Sequence, residues 1–140
     1  MINFNYELDF KLDDEALYSD WISKVISSEI KREGEINYVF CDDDYLLEIN
    51  QQYLAHDTLT DIISFDYSIG NELHGDIFIS IERVRENASD FNVDFSDELK
   101  RVMAHGVLHY CGYKDKSEDD EKLMRLKEEE KMKMFHVKQN

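Results

Sequence analysis

The stretch His105-Gly106-Val107-Leu108-His109-Tyr110-Cys111-Gly112-Tyr113-Lys114-Asp115 carries the residue types best suited to chemistry. Residues four apart lie one above the other on a helix, so His105 and His109 can present two imidazoles to one ion. Gly112 lets the chain leave that helix through a left-handed turn. Asp115, three residues later, can then come back toward the same ion. Two imidazoles and one carboxylate make a catalytic rather than a structural donor set. Structural zinc sites close with four protein ligands, whereas catalytic ones use three and leave a position for water. The expected cofactor is one Zn2+ per chain. The expected chemistry is attack on an electrophile by a metal-bound water or hydroxide. Cys111 would point away from His109 on a continuing helix and is left out of the set. The zinc-protease motif H-E-x-x-H places a general-base Glu beside the first His. Gly106 stands there instead, which disfavours peptide hydrolysis.

These side chains need a scaffold. Helical spacing from about Ser96 to Tyr110 groups Leu99, Val102, Met103, Gly106 and Tyr110 on one core face, with both histidines at its edge. Upstream, residues 2–8 alternate as a strand. Asp13 and Asp14 then cap a helix carrying Leu17, Trp21, Ile22, Val25, Ile26 and Ile30, and Gly34 stands where a helix C-cap belongs. Residues 35–41 read as a second strand. Asp42, Asp43 and Asp44 follow, suited to the positive end of a helix bearing Leu46, Ile49 and Tyr53. Residues 62–68 and 75–81 read as two further strands. A helix follows through Ile81, Val84 and Ala88, and a charged one spans about Glu118 to Phe135. With no repeat, proline or linker, residues 1–140 are expected to form a single α+β domain. Its small mixed sheet of about four strands would be covered by about five helices.

Composition limits the function classes. With 140 residues and 42% hydrophobic content, including eight Phe and eight Tyr, the chain has enough apolar surface for a core. No apolar run approaches the roughly 20 residues of a membrane span, and the first residues lack a signal-peptide pattern. The expected location is the cytoplasm, with Cys41 and Cys111 as thiols. Sixteen basic against 32 acidic residues give a net charge of −16. That argues against electrostatic wrapping of nucleic acid. It leaves room for an enzyme that acts on one scissile phosphate through a metal. The charge is also uneven: residues 81–140 hold 12 basic and 14 acidic side chains, so the candidate site lies in the near-neutral part.

Three ordered motifs resemble the YbeY family of bacterial metal-dependent endoribonucleases. The family pattern H-G-x-L-H-x-x-G-Y-D-H is matched by His105, Gly106, Leu108, His109, Gly112 and Tyr113. The pattern N-x-x-Y-R-x-K-D-x-P-T-D-V-L-S-F is matched by Asn50, Tyr53, Asp57, Thr60, Asp61, Ser64 and Phe65. The pattern G-D-I-x-I-S is met by Gly75 to Ser80. The resemblance implies an α+β fold with three zinc ligands on a helix and its following loop. It further implies single-strand-specific RNA cleavage, 3′-end maturation of small-subunit (16S) rRNA and ribosome quality control. Partners would be single-stranded or ribosomal RNA and the small ribosomal subunit with its proteins. Two departures from the pattern matter. Asp115 stands where the third ligand is usually His, and a carboxylate there makes the site less electrophilic and more tolerant of harder ions. Leu54 stands where the family carries an Arg associated with substrate phosphate; Lys114 or Lys116 is expected to supply that attraction.

Asp61 and Asp57, within the second motif, and the weaker His56 are the candidate general bases. Thr60, Ser64 and Phe65 are expected to build the cleft wall. Tyr53 and Tyr113 are candidates for stacking on unpaired bases, although aromatics more often pack in cores. The attacking group is water or the RNA 2′-hydroxyl. Two other functions fit the same residues: a non-catalytic, zinc-containing ribosome assembly factor, and a zinc hydrolase of another substrate.

Overall fold

The computed structural model describes residues 1–54 and 60–135. Element order is β1 (Ile2–Tyr6), α1 (Glu15–Ser28), β2 (Arg32–Cys41), α2 (Asp43–Leu54), β3 (Ile62–Asp66), β4 (Glu72–Ser80), α3 (Ile81–Phe91), α4 (Phe95–Tyr110) and α5 (Glu118–Met132). The four strands form one mixed sheet in the order β1-β2-β4-β3. β1 and β2 run parallel, as do β2 and β4, while β3 pairs antiparallel with β4. The expected α+β architecture is therefore the observed one.

Alternation along the strands sorts the two faces of the sheet. Ile36, Tyr38 and Phe40 of β2 and Ile77 and Ile79 of β4 are fully buried in the main core, together with Ile22, Val25 and Ile26 of α1 and Leu99, Val102, Met103 and Val107 of α4. α3 and α5 pack on α4. On the opposite face α2 inserts Leu46 against Cys41 and Ile63, with Phe65 and Phe78 beside them. Beyond α2 that face is polar: Asn3 donates to Asn37 at 2.8 Å, and Asn37 donates to Asp76 at 3.0 Å. No helix among the described residues is long and apolar enough to cross a membrane.

The caps follow from the residues that flank the helices. Asp14 accepts from the Leu17 amide at 3.2 Å and starts α1. Asp42 does the same for α2 through the Tyr45 amide at 2.9 Å. Asp43 instead accepts from Ser80 at 2.7 Å and Arg83 at 2.8 Å, tying α2 to the start of α3. The acidic triplet is thus structural. Gly34 is not a helix cap. α1 stops at Ser28, and Ile30 takes the left-handed position (φ 59°), with the Ile30 amide bonded to Ser27 and the Lys31 amide to Ile26. Ile30 is 80% exposed and does not extend the apolar stripe of α1. Gly34 lies within β2, at a register irregularity. A Cβ there would come within 2.5 Å of the His74 ring and the Leu73 carbonyl. The strands also begin and end differently from the periodic reading: β3 stops at Asp66 and β4 starts at Glu72.

Candidate metal centre

α4 carries both histidines because its apolar face is so well fixed. Gly106 sits between them on the buried side. A Cβ added there would lie 3.1 Å from Ile62 and Ile77 methyls, tighter than ordinary packing. The position taken by a general-base Glu in zinc proteases is therefore pressed against the sheet, where a carboxylate has no room. Arg101, His105 and His109 recur every four residues on the opposite, partly open side.

The chain leaves α4 at Cys111, turns through Gly112 in the left-handed region (φ 106°), and brings Asp115 back over the helix. His105 Nε2 and His109 Nε2 are 2.9 Å apart. Asp115 Oδ2 lies 3.3 Å from the first and 3.2 Å from the second. The outer nitrogens are occupied as well: His105 Nδ1 is 2.6 Å from Glu128 Oε2, and His109 Nδ1 is 2.9 Å from the Tyr113 carbonyl. A carboxylate and a carbonyl only accept, so each ring donates through Nδ1–H. Each Nε2 is then a lone pair aimed at the other and at a carboxylate oxygen.

Three converging acceptors repel unless a cation lies between them. Zinc bonded at about 2.0–2.1 Å in a tetrahedron separates its ligand atoms by roughly 3.3 Å. The observed spacings of 2.9, 3.2 and 3.3 Å fit that requirement closely. Among the described residues these three side chains are the group that can hold a metal ion.

The cluster opens into a cleft of about 380 Å³ lined by Thr60, Asp61, Ile62, Ser64, Arg101, Val102 and the three donors. Thr60 and Ser64 take the expected wall positions. Phe65 does not. Its neighbours in β3 alternate, so Ile62 and Ser64 face α4 while Phe65 faces α2, with its ring 5.9 Å from Phe78 and 6.0 Å from Tyr53. Tyr53 shares that opposite face and is two-thirds exposed. The Tyr113 hydroxyl donates to Glu29 at 2.7 Å, and the Lys127 ammonium lies 5.5 Å from its ring, so this side chain anchors the loop to α1 and α5. Lys114 and Lys116 are exposed, and neither lines the cleft. Asp61 lies within it. Burial raises its carboxyl pKa, and the neighbouring Arg101 only partly offsets that. His56 and Asp57 lie outside the described residues.

Two residues escaped the sequence reading. Arg101, whose side chain is 18% exposed, donates to Glu98 at 3.0 and 2.7 Å and to Glu128 at 3.2 Å. Glu128 is buried in α5 behind His105. Met124, Glu128 and Lys131 recur at 4 and 3 residues, so two charged residues occupy the buried stripe of α5.

Comparison with known proteins gives the family. The family model described as endoribonuclease YbeY matches residues 3–136. A Flavobacterium psychrophilum protein named endoribonuclease YbeY is 74% identical over 140 residues, covering 100% of both chains. A Flavobacterium johnsoniae protein of the same name is 69% identical, covering 99% of this chain and 100% of that one. A solution structure of a Thermotoga maritima protein superposes with a TM-score of 0.68 at 26% identity, covering 96% of this chain and 89% of the other. Matched by the family model over residues 3–136 and by relatives of that name at 74% and 69% identity, this chain belongs to the YbeY endoribonuclease family.

Proposed function

We propose that this protein is a zinc-dependent, single-strand-specific endoribonuclease that acts in 3′-end maturation of 16S rRNA and in ribosome quality control. The observation that carries this reading is the meeting of His105 Nε2, His109 Nε2 and Asp115 Oδ2 at the floor of an open cleft. Family membership supplies the substrate class.

A divalent ion held by His105, His109 and Asp115 would supply Lewis acidity, polarising a backbone phosphate and activating the nucleophile. The chain's own residues provide the rest. The Glu128 carboxylate and the Tyr113 carbonyl keep both imidazoles in the tautomer that offers Nε2. Thr60, Ser64 and Asp61 face the space a phosphodiester would enter. Burial keeps Asp61 inclined to hold a proton, which suits proton transfer to or from the attacking or leaving oxygen. The cleft lies between α4 and β3, and single-strand specificity is taken from family membership. Exposed Lys114 and Lys116 add positive charge beside Asp115 and attract phosphate as the strand approaches. Tyr53 and Tyr113 are accessible to stack on bases only at the periphery, and His56 and Asp57 flank the cleft in sequence. The location is the cytoplasm, where the small ribosomal subunit and its proteins are the partners.

Cleavage of a single-stranded RNA oligonucleotide tests the reading. The expected result is endonucleolytic cutting that is lost with a chelator and in His109→Ala, with the matching duplex left intact. A protein that holds zinc stoichiometrically yet leaves RNA uncut is the non-catalytic assembly factor. A protein that cuts another substrate but not RNA is a different zinc hydrolase. Charge-neutral variants of Lys114 and Lys116 that cleave at the wild-type rate remove those two from the proposal.

A further inference from the structure

The acidic last helix contributes a buried carboxylate to the donor cluster. Glu128 Oε2 sits 2.6 Å from His105 Nδ1, and the side chain is 2% exposed. A lone carboxylate at that depth would be strongly disfavoured. Here it is held by the His105 ring at 2.6 Å and by the Arg101 guanidinium at 3.2 Å. Arg101 is itself fixed by Glu98, so a chain of contacts runs from Glu98 through Arg101 and Glu128 to His105. Among the described residues the other cation paired with Glu128 is Arg125, at 3.7 Å and largely exposed. Nothing in helix packing alone calls for this arrangement. Exchanging a buried ion pair for apolar side chains is often neutral or stabilising.

We infer that Glu128 is a positioning residue for the metal centre, with Arg101 holding it in place beside His105. This rests on the proposal that the three donors bind zinc. The carboxylate does two things there. It fixes the ring rotation and tautomer that aim Nε2 at the ion. It also draws the Nδ1 proton toward itself, which makes Nε2 a stronger donor. That second effect bears on the substitution at the third ligand. The cluster has one anionic donor, Asp115, and Glu128 adds further negative charge from behind His105. The site is therefore built to hold its ion firmly rather than to maximise its Lewis acidity.

The test is a titration of the metal-free protein with Zn2+ in competition with a chromophoric chelator, together with the visible spectrum of the Co2+ form. Glu128→Gln keeps the size and one acceptor but removes the charge. It is expected to weaken Zn2+ binding by roughly 10- to 100-fold and to alter the cobalt bands, while Glu129→Gln, on the exposed side of α5, leaves both unchanged. Glu128→Asp preserves the charge beside Arg101 but withdraws the oxygen by about 1.5 Å, and it should also weaken binding. Wild-type affinity and spectrum in Glu128→Gln overturn the inference, as does the same result in Glu128→Asp should the glutamine variant not fold. Absence of Zn2+ binding by the wild-type chain would instead overturn the function proposed above.

Discussion

The Tyr110 hydroxyl donates to the Phe65 carbonyl at 2.8 Å, so the residue after His109 is tied to the strand that walls the cleft. The phenol can reach that strand because residue 75 in β4 is glycine. A Cβ on Gly75 would lie 2.2 Å from the Tyr110 oxygen and 2.5 Å from the Phe65 carbonyl oxygen. Gly75→Ala is therefore expected to destabilise the fold by about 2–3 kcal/mol through overpacking, measured by urea denaturation. It should also lower RNA cleavage more than Tyr110→Phe, which removes the hydrogen bond without adding bulk.

Ile30 ends α1 in the left-handed region, where a β-branched residue carries a penalty of about 1–2 kcal/mol. Its side chain is 80% exposed, so replacing it forfeits little burial. Ile30→Gly should raise stability by roughly 1 kcal/mol after the greater entropy of an unfolded glycine is counted. Thermal unfolding should shift upward by about 3 °C. A lower melting temperature would show that Ile30 makes a contact the backbone geometry does not reveal.

Glu29 sits where the ligand-bearing loop meets α1 and α5. It accepts from Tyr113 at 2.7 Å and pairs with the buried Lys131 at 2.7 Å. Burial opposes its charge, but Lys131 and Tyr113 prevail and lower its pKa below the ordinary 4.5. A depressed carboxyl pKa stabilises the fold above the unfolded value and loses that contribution as pH falls through the folded one. Glu29→Gln should then cost about 2 kcal/mol at pH 7, less than loss of a sole partner because Lys131 keeps Glu130 and Ser28. The gap between variant and wild type should shrink below about pH 4.5 and close as pH falls through the depressed folded-state value. Guanidinium melts across that range measure it.

A net charge of −16 repels a polyanion at long range. Raising the salt from about 0.01 to 0.15 M shortens the screening length from roughly 30 to 8 Å. For this chain kcat/KM on short single-stranded RNA should stay level or rise over that interval. Most RNA-binding proteins show a steep fall, because salt competes with their phosphate contacts. A steep fall here would mean that the basic groups of residues 81–140 dominate the encounter.

Much of the candidate site was legible because its key residues are close in sequence. The spacing of His105 and His109 requires only a helix, and Gly112 with Asp115 requires only a turn. The sheet and its helices were legible from periodicity, since strands buried on one face alternate and amphipathic helices repeat. What escaped depends on packing between distant segments. Gly34 looks like a cap until His74, 40 residues on, is seen against it. Phe65 joins its motif in sequence but takes the other face of β3 by the same alternation that places Ser64 in the cleft. Arg101 and Glu128 are ordinary charged residues on charged helices, and only their meeting gives them a role. The missing Glu of the protease motif now has a physical reason, since position 106 is packed against Ile62 and Ile77.

The hydrogen bond from His105 to Glu128 also bears on timing. Chains are synthesised from the N-terminus, so the residues of the sheet and of α4 are joined before residue 128 is. Until α5 docks, His105 lacks the acceptor that turns it, and Arg101 is paired with Glu98 but not with Glu128. A nascent chain with both histidines already made thus still holds an unfinished cluster. In the order of synthesis, the contact that completes the cluster is therefore among the last to become available.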